Sequence, residues 1–228
     1  MSPPDSCSAL QLCRAVASVL AALHDAGVAH WDLKPENVLR AKGEAGWKLC
    51  DFGSASTRPA AAATPRERGR LEDAIQRRTT PACRAPEMWD LATHATIGPA
   101  GDVWALGCLL GAALGAPPFC AQDKLRILSG AFKPPPRASP GVVALQQRAL
   151  AVSPEARPTA DALIAQLDAL LDGHEPTQQT QQEQEQPALP ARPVAAPPLP
   201  PRPPAAGADA AALPQQAAAD AGWCAQFD

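Results

Sequence analysis

His30-Trp31-Asp32-Leu33-Lys34-Pro35-Glu36-Asn37 decides the reading of this 228-residue chain, because it sets an acid, a cation and an amide close together on one short loop. Val38-Leu39 leads out of the loop, and Trp47-Lys48-Leu49-Cys50 reads as a short apolar strand that delivers Asp51-Phe52-Gly53. Ala85-Pro86-Glu87 follows. Upstream, Leu10, Cys13, Val16, Ala17, Leu20 and Leu23 recur at three- and four-residue spacing, which predicts an amphipathic helix ending at Gly27 and delivering the loop. An Asp-Phe-Gly tripeptide alone is usually an ordinary turn; the three segments in this order, with a strand before the second, carry the information.

In order and context these segments resemble the catalytic loop, the metal-binding motif and the Ala-Pro-Glu motif of eukaryotic protein kinases. The resemblance implies a mainly α (α+β) fold: the C-terminal lobe of a protein kinase, with small β-strands around the catalytic loop. It also implies roles. Phosphoryl transfer asks a protein chiefly to position a hydroxyl and to neutralise charge on the moving group. Asp32 would sit beside the attacking hydroxyl, and Lys34 would reach the transferred phosphate as it gains charge. Asn37 and Asp51 would supply oxygens to Mg²⁺ bound with ATP, so that Lys34, Asn37 and Asp51 form the nucleotide end of the site. Gly53 would permit the backbone torsions that swing Asp51 toward or away from the metal. Thr80 matches the threonine that in serine/threonine kinases bridges the catalytic aspartate and lysine. The implied reaction is transfer of the ATP γ-phosphate to serine or threonine hydroxyls of proteins. Asp102 resembles the aspartate that ties down the catalytic-loop backbone from a helix start. Arg157 resembles the arginine that pairs with the glutamate of Ala-Pro-Glu, here Glu87.

Cys50-Asp51-Phe52-Gly53-Ser54-Ala55, Thr79-Thr80, Arg84 to Leu91 and Asp102 to Leu110 are similar to the numb-associated kinase family, over a span from about Ser8 to Leu171. That family includes adaptor-associated and cyclin-G-associated kinases, which makes a clathrin adaptor the implied partner and endocytosis the implied setting. Its members carry an extra helix after Ala-Pro-Glu, so Trp89–Ile97 is expected to be partly helical.

Three departures bear on activity. Trp31 stands where these kinases have an arginine that pairs with a phosphorylated activation-segment residue, and an indole cannot do that. Cys83 stands where a tyrosine is usual, and the chain contains no tyrosine at all. The first lysine is Lys34 and the first glutamate Glu36, so no lysine–glutamate pair precedes the loop, and no G-x-G-x-x-G stretch does either. The expectation is therefore a truncated domain over 1–172, the C-lobe only with the N-lobe missing. Two classes follow: a serine/threonine kinase, or a catalytically impaired kinase-derived scaffold or pseudokinase with a proline-rich SH3-binding tail.

A net charge of −3 gives no nucleic-acid signal, and Arg66, Arg68, Arg70, Arg77 and Arg78 read as a solvated face. Val103–Ala116 is too short to span a bilayer and reads as a buried helix, so no membrane span is expected. No signal peptide is read after Met1. Seven cysteines show no C-x-x-C pairing and no metal spacing with His24, His30, His94 or His174, which predicts a reduced, cytoplasmic protein. Cys7, Cys13 and Cys108 read as small core hydrophobes. Arg58–Arg70 reads as mobile, Leu71–Arg78 as a helical turn, and Val142–Ala151 and Thr159–Leu171 as helices. Residues 173–228 form a Pro/Gln/Ala-rich tract too poor in large apolar residues to offset folding entropy, and are expected to be a disordered tail. Within it, Pro197-Pro198-Leu199-Pro200-Pro201-Arg202 has the P-x-x-P-x-R form of an SH3 ligand, and Trp223 and Phe227 resemble an adaptor-appendage peptide.

Overall fold

The computed structural model describes residues 6–40, 46–57, 60–61, 64–92 and 96–174. All of them fall in the first of the chain's two units, Met1–Glu185. The tail from 175 onward, with the proline motif at Pro197–Arg202 and the aromatic residues Trp223 and Phe227, lies outside the described residues.

The predicted first helix is α1, Ser6–Asp25. It ends in a Schellman turn: Gly27 takes φ +72°, its N–H bonds the His24 carbonyl, and the Val28 N–H bonds that of Leu23. The chain then runs through the loop at His30–Pro35 into β1, Val38–Arg40, which pairs antiparallel with β2, Trp47–Leu49. A two-residue β3, Ala60–Ala61, precedes α2, Pro65–Arg78. Then come α3, Pro86–Trp89; β4, Thr96–Ile97; and α4, Ala100–Ala113. The lobe is closed by α5, Lys124–Ser129; α6, Pro140–Ala149; and α7, Ala160–Leu171.

α4 is buried on all sides from Gly101 to Gly111, as a helix apolar around its whole circumference must be. It is held between α1 and α6, while α1 packs most extensively along α7. Leu20, Leu33, Leu110, Leu163 and Leu167 are fully buried in this seam. Two glycines let α6 close on α4. A Cβ at Gly107 would sit 2.9 Å from Leu150, and one at Gly111 would meet Gln146 Nε2 at 2.7 Å and the Ala116 carbonyl at 2.8 Å. The Gln146 amide donates to the Gly107 carbonyl across that contact (3.2 Å).

Several expectations need correction. α1 is long and apolar enough to cross a membrane, a test that the sequence reading applied only to Val103–Ala116. Its apolar stripe, Leu10, Cys13, Val16, Ala17 and Leu20, is taken up by the core against α4 and α7. Residues 65–70 belong to α2 and are not irregular. Thr64 and Glu67 form a capping box, Thr64 Oγ1 accepting from the Glu67 N–H and the Glu67 carboxylate accepting from the Thr64 N–H. Of the described part of Trp89–Ile97 only Trp89 is helical; Thr96–Ile97 pairs with Ala60–Ala61, as a β-branched pair ahead of Gly98-Pro99 favours. Cys13 and Cys108 are buried as expected, but Cys7 is exposed on the first turn of α1.

Candidate active site

The loop that carries the site is held from below by one carboxylate. Asp102, in the first turn of α4, accepts the His30 N–H on Oδ2 and the Trp31 N–H on Oδ1, both at 2.8 Å, and His24 Nε2 lies 3.0 Å from Oδ2. Two bonds from a buried carboxylate hold Trp31 at φ +68°, a left-handed conformation that a bulky residue otherwise avoids. The turn it makes aims Asp32 at the activation segment. His30 is fully buried, its Nδ1 accepting from the Asp32 N–H (3.4 Å) and its Nε2 donating to the Cys50 carbonyl (3.2 Å). Its ring meets Phe52 edge to face at 5.1 Å, so His30 ties the catalytic loop to the Asp51-Phe52-Gly53 turn.

Asp32, Lys34 and Thr80 come together as expected. Asp32 Oδ2 accepts from Lys34 Nζ at 2.7 Å, while Oδ1 accepts from both the Thr80 hydroxyl (2.8 Å) and the Thr80 N–H (2.9 Å). Lys34 Nζ also donates to Thr80 Oγ1 at 3.2 Å, which closes the triangle. The hydrogen bond to Asp32 raises the Lys34 ammonium above its ordinary value against partial desolvation, so it stays charged throughout the neutral range.

Asn37 is buried, and its amide N–H donates to the Asp32 carbonyl at 2.8 Å, which turns the amide oxygen away from the loop. Its own carbonyl accepts from the Cys50 N–H (2.9 Å) and the Cys50 thiol (3.2 Å), setting Asp51 one residue beyond the Asn37 backbone. Asp51 sits at φ +63° with an exposed carboxylate that, among the described residues, accepts from the Gly53 N–H at 3.3 Å. One amide oxygen and one free carboxylate are a hard-oxygen donor pair, suited to Mg²⁺ whose remaining ligands are phosphates and water. Among the described residues no group of three or more His, Cys, Asp or Glu could hold a metal without such help.

Trp31 is 9% exposed and packs with Ala29, Ile75, Met88, Leu91 and Ile97, with Leu71 alongside. Where the resembled kinases place a cation, this chain places an apolar plug between the catalytic loop and α2. Sequence reasoning missed two further tethers. Ser54 Oγ donates to the Arg78 carbonyl (2.6 Å), joining the Asp51 turn to the end of α2. Arg84, 6% exposed, donates through Nε to Thr79 Oγ1 (2.7 Å) and through Nη2 to the carbonyls of Ile75, Gln76 and Thr79, with Trp89 stacked at 4.9 Å. Thus a buried guanidinium caps the C-terminus of α2, and its desolvation lowers its pKa. The proximity of Arg84 to the end of α2 was the available signal, but it is visible only once α2 has an end. Arg157 and Glu87 form the expected pair, buried and bidentate at 2.7 Å on each arm.

A protein kinase domain model matches residues 4–167. The chain is 40% identical over 146 residues to a probable serine/threonine-protein kinase of Dictyostelium discoideum, covering 63% of this chain and 18% of that protein. It is 33% identical over 175 residues to serine/threonine-protein kinase 16 of Mus musculus, covering 71% of this chain and 55% of the mouse protein. It is 43% identical over 102 residues to serine/threonine-protein kinase ppk30 of Schizosaccharomyces pombe, 44% of this chain and 11% of that one. The chain therefore spans little more than half the length of these relatives at most.

Proposed function

The chain belongs to the protein kinase domain family, and from that premise we propose that it transfers the γ-phosphate of ATP to serine and threonine hydroxyls of proteins. The observation that carries this reading is the closed triangle of Asp32, Lys34 and Thr80. With Oδ1 held by Thr80 and Oδ2 by Lys34, the Asp32 carboxylate has one orientation in which to align an acceptor hydroxyl and take its proton. Lys34 then faces the charge that develops during transfer. Asn37 and Asp51 would hold Mg²⁺, which when bound neutralises the phosphate oxygens. The name shared by the relatives, serine/threonine-protein kinase, agrees with Thr80 and Lys34.

Finer parts of the reading rest on sequence. Membership of the numb-associated group, with clathrin-adaptor subunits as substrates, is proposed from Cys50–Ala55, Arg84–Leu91 and Asp102–Leu110. The segment Pro197–Arg202 is proposed as an SH3 ligand on a disordered tail, in a reducing, cytoplasmic setting. Residues 1–172 are proposed as a C-lobe, the Gly-rich loop and the lysine–glutamate pair not being among these 228 residues. The second reading, a non-catalytic scaffold, draws on Trp31, which puts an apolar plug where the resembled kinases place a cation.

The test is to incubate the chain with γ-labelled ATP, Mg²⁺, adaptor subunits and a generic basic protein, beside Asp32→Asn. Label on serine or threonine that disappears in the variant supports transfer. Label unaffected by Asp32→Asn, or found on tyrosine, would overturn it. Mg²⁺-ATP binding without transfer would favour the scaffold.

A further inference from the structure

Two cysteines outside the phosphoryl-transfer residues lie against each other at the site's edge. Cys83 ends the 3₁₀ turn Pro81–Cys83, directly after Thr80, and is half-buried. Cys108 is 4% exposed in the middle of α4, the most enclosed helix of the lobe. Cys83 packs on the cluster that contains Cys108, Trp104 and Phe119. Cys108 Sγ also reaches the Ala82 carbonyl at 3.9 Å. Both cysteines are free, separated by 25 positions and brought together only by the fold.

We propose that Cys83 and Cys108 form a peroxide-sensitive thiol pair whose disulfide draws Thr80 away from Asp32. The chemistry balances with a hydroperoxide as the oxidant. The Cys83 thiolate attacks the peroxide, breaking the O–O bond and leaving sulfenic acid and water once a proton is taken up. The Cys108 sulfur then attacks the sulfenic sulfur, forming the S–S bond and expelling a second water. The roles are unequal. The S–H bond from Cys108 lowers the Cys83 pKa against desolvation, while burial keeps Cys108 a thiol by raising its own. Cys83 is also the one that solvent can reach.

Coupling to Asp32 follows from which element can yield. A disulfide brings its sulfurs to about 2.05 Å, and with Cys108 fixed in the core the turn that carries Cys83 is the element able to yield. The Cys83 N–H donates to the Thr80 carbonyl at 3.0 Å, and Thr80 holds Asp32 through bonds of 2.8 and 2.9 Å. A shift of that turn therefore falls on bonds that weaken steeply with distance and angle. The Cys108 side is cushioned by apolar packing, whereas the Asp32 side is polar and directional.

The inhibitory consequence rests on the kinase reading; the disulfide does not. The full chain is treated with graded hydrogen peroxide and then mapped by non-reducing peptide mass spectrometry, beside Cys83→Ser and Cys108→Ala. The expected product is a Cys83–Cys108 crosslink that forms ahead of any involving Cys7, Cys50 or Cys120, is reversed by dithiothreitol, and is absent from both variants. Trypsin cleavage after Arg77 and Arg78 reports the segment in the same samples, and is expected to quicken at least fivefold on oxidation. Phosphate transfer is expected to fall at least tenfold and to recover on reduction, with both variants resistant. Oxidation of Cys83 that stops short of Cys108, a preferred crosslink elsewhere, or a crosslink that leaves cleavage unchanged would overturn the proposal. Absence of transfer even in reduced protein, with crosslink and cleavage as expected, would instead defeat the kinase reading alone.

Discussion

Asp32 receives three hydrogen bonds from Lys34 and Thr80, so removing its charge tests them together. Asp32→Asn is expected to lower phosphate transfer by about 10²–10⁴-fold, the usual contribution of a positioned base, with melting temperature little changed. Thr80→Val keeps the backbone bond but loses the hydroxyl bridge, and a smaller loss in kcat is expected, measured in the same assay. Arg157 presents a contrasting case. Its pair with Glu87 is buried on both sides, so Arg157→Ala strands a carboxylate in the core. A cost of about 3–5 kcal/mol is expected, or roughly 10 °C in Tm for a lobe of this size, read by thermal unfolding. The contacts among Asp32, Lys34 and Thr80 and the Glu87–Arg157 pair were legible in the sequence, because each residue sits at a fixed place relative to a recognisable motif. The bonds of Arg84, Ser54 and His30 were not, since each depends on where a neighbouring backbone carbonyl ends up.

At the scale of elements, α2 was the principal miss. Its composition, rich in arginine with a single fully buried residue, Ile75, hides the apolar stripe that helix recognition needs. The capping box at Thr64 and Glu67 was a local signal that could have revealed it. Trp31, Leu71 and Ile75 join α2 to the catalytic loop, and Arg84 closes its C-terminus. The hydroxyls of Ser54 and Thr79 are buried and already donate to the Arg78 and Ile75 carbonyls, so neither is placed to receive a phosphate. Phosphatase treatment of active protein is therefore expected to change transfer by less than about twofold. A tenfold fall, about 1.4 kcal/mol, would show that another residue reads a phosphate. Trp31→Arg is expected to lower Tm, because it puts a cation into the apolar cluster of Ala29, Ile75, Met88, Leu91 and Ile97. The α4–α6 contact gives a separate test. Gly111→Ala places a methyl within 2.8 Å of the Ala116 carbonyl, and overpacking of this kind costs about 1–3 kcal/mol, measurable by denaturant unfolding.

Across the whole molecule the helical order was legible wherever one face or an entire helix is apolar, as in α1, α4, α6 and α7. Short pieces such as β3, β4 and α5 escaped, because two to six residues carry too little periodicity to read. The long-range design rests on α1 lying along α7, two elements at opposite ends of the described chain. On the ribosome that spacing becomes time. At about 5–20 residues per second, roughly 7–30 s separate the emergence of α1 from that of the helix that covers it. Throughout this interval a twenty-residue helix, long and apolar enough for a bilayer, waits for the element that covers most of it. Slower translation through residues 26–159 is therefore expected to lengthen the exposure of this helix and to lower the yield of folded protein, measurable by comparing fast and slow synonymous codons over that stretch.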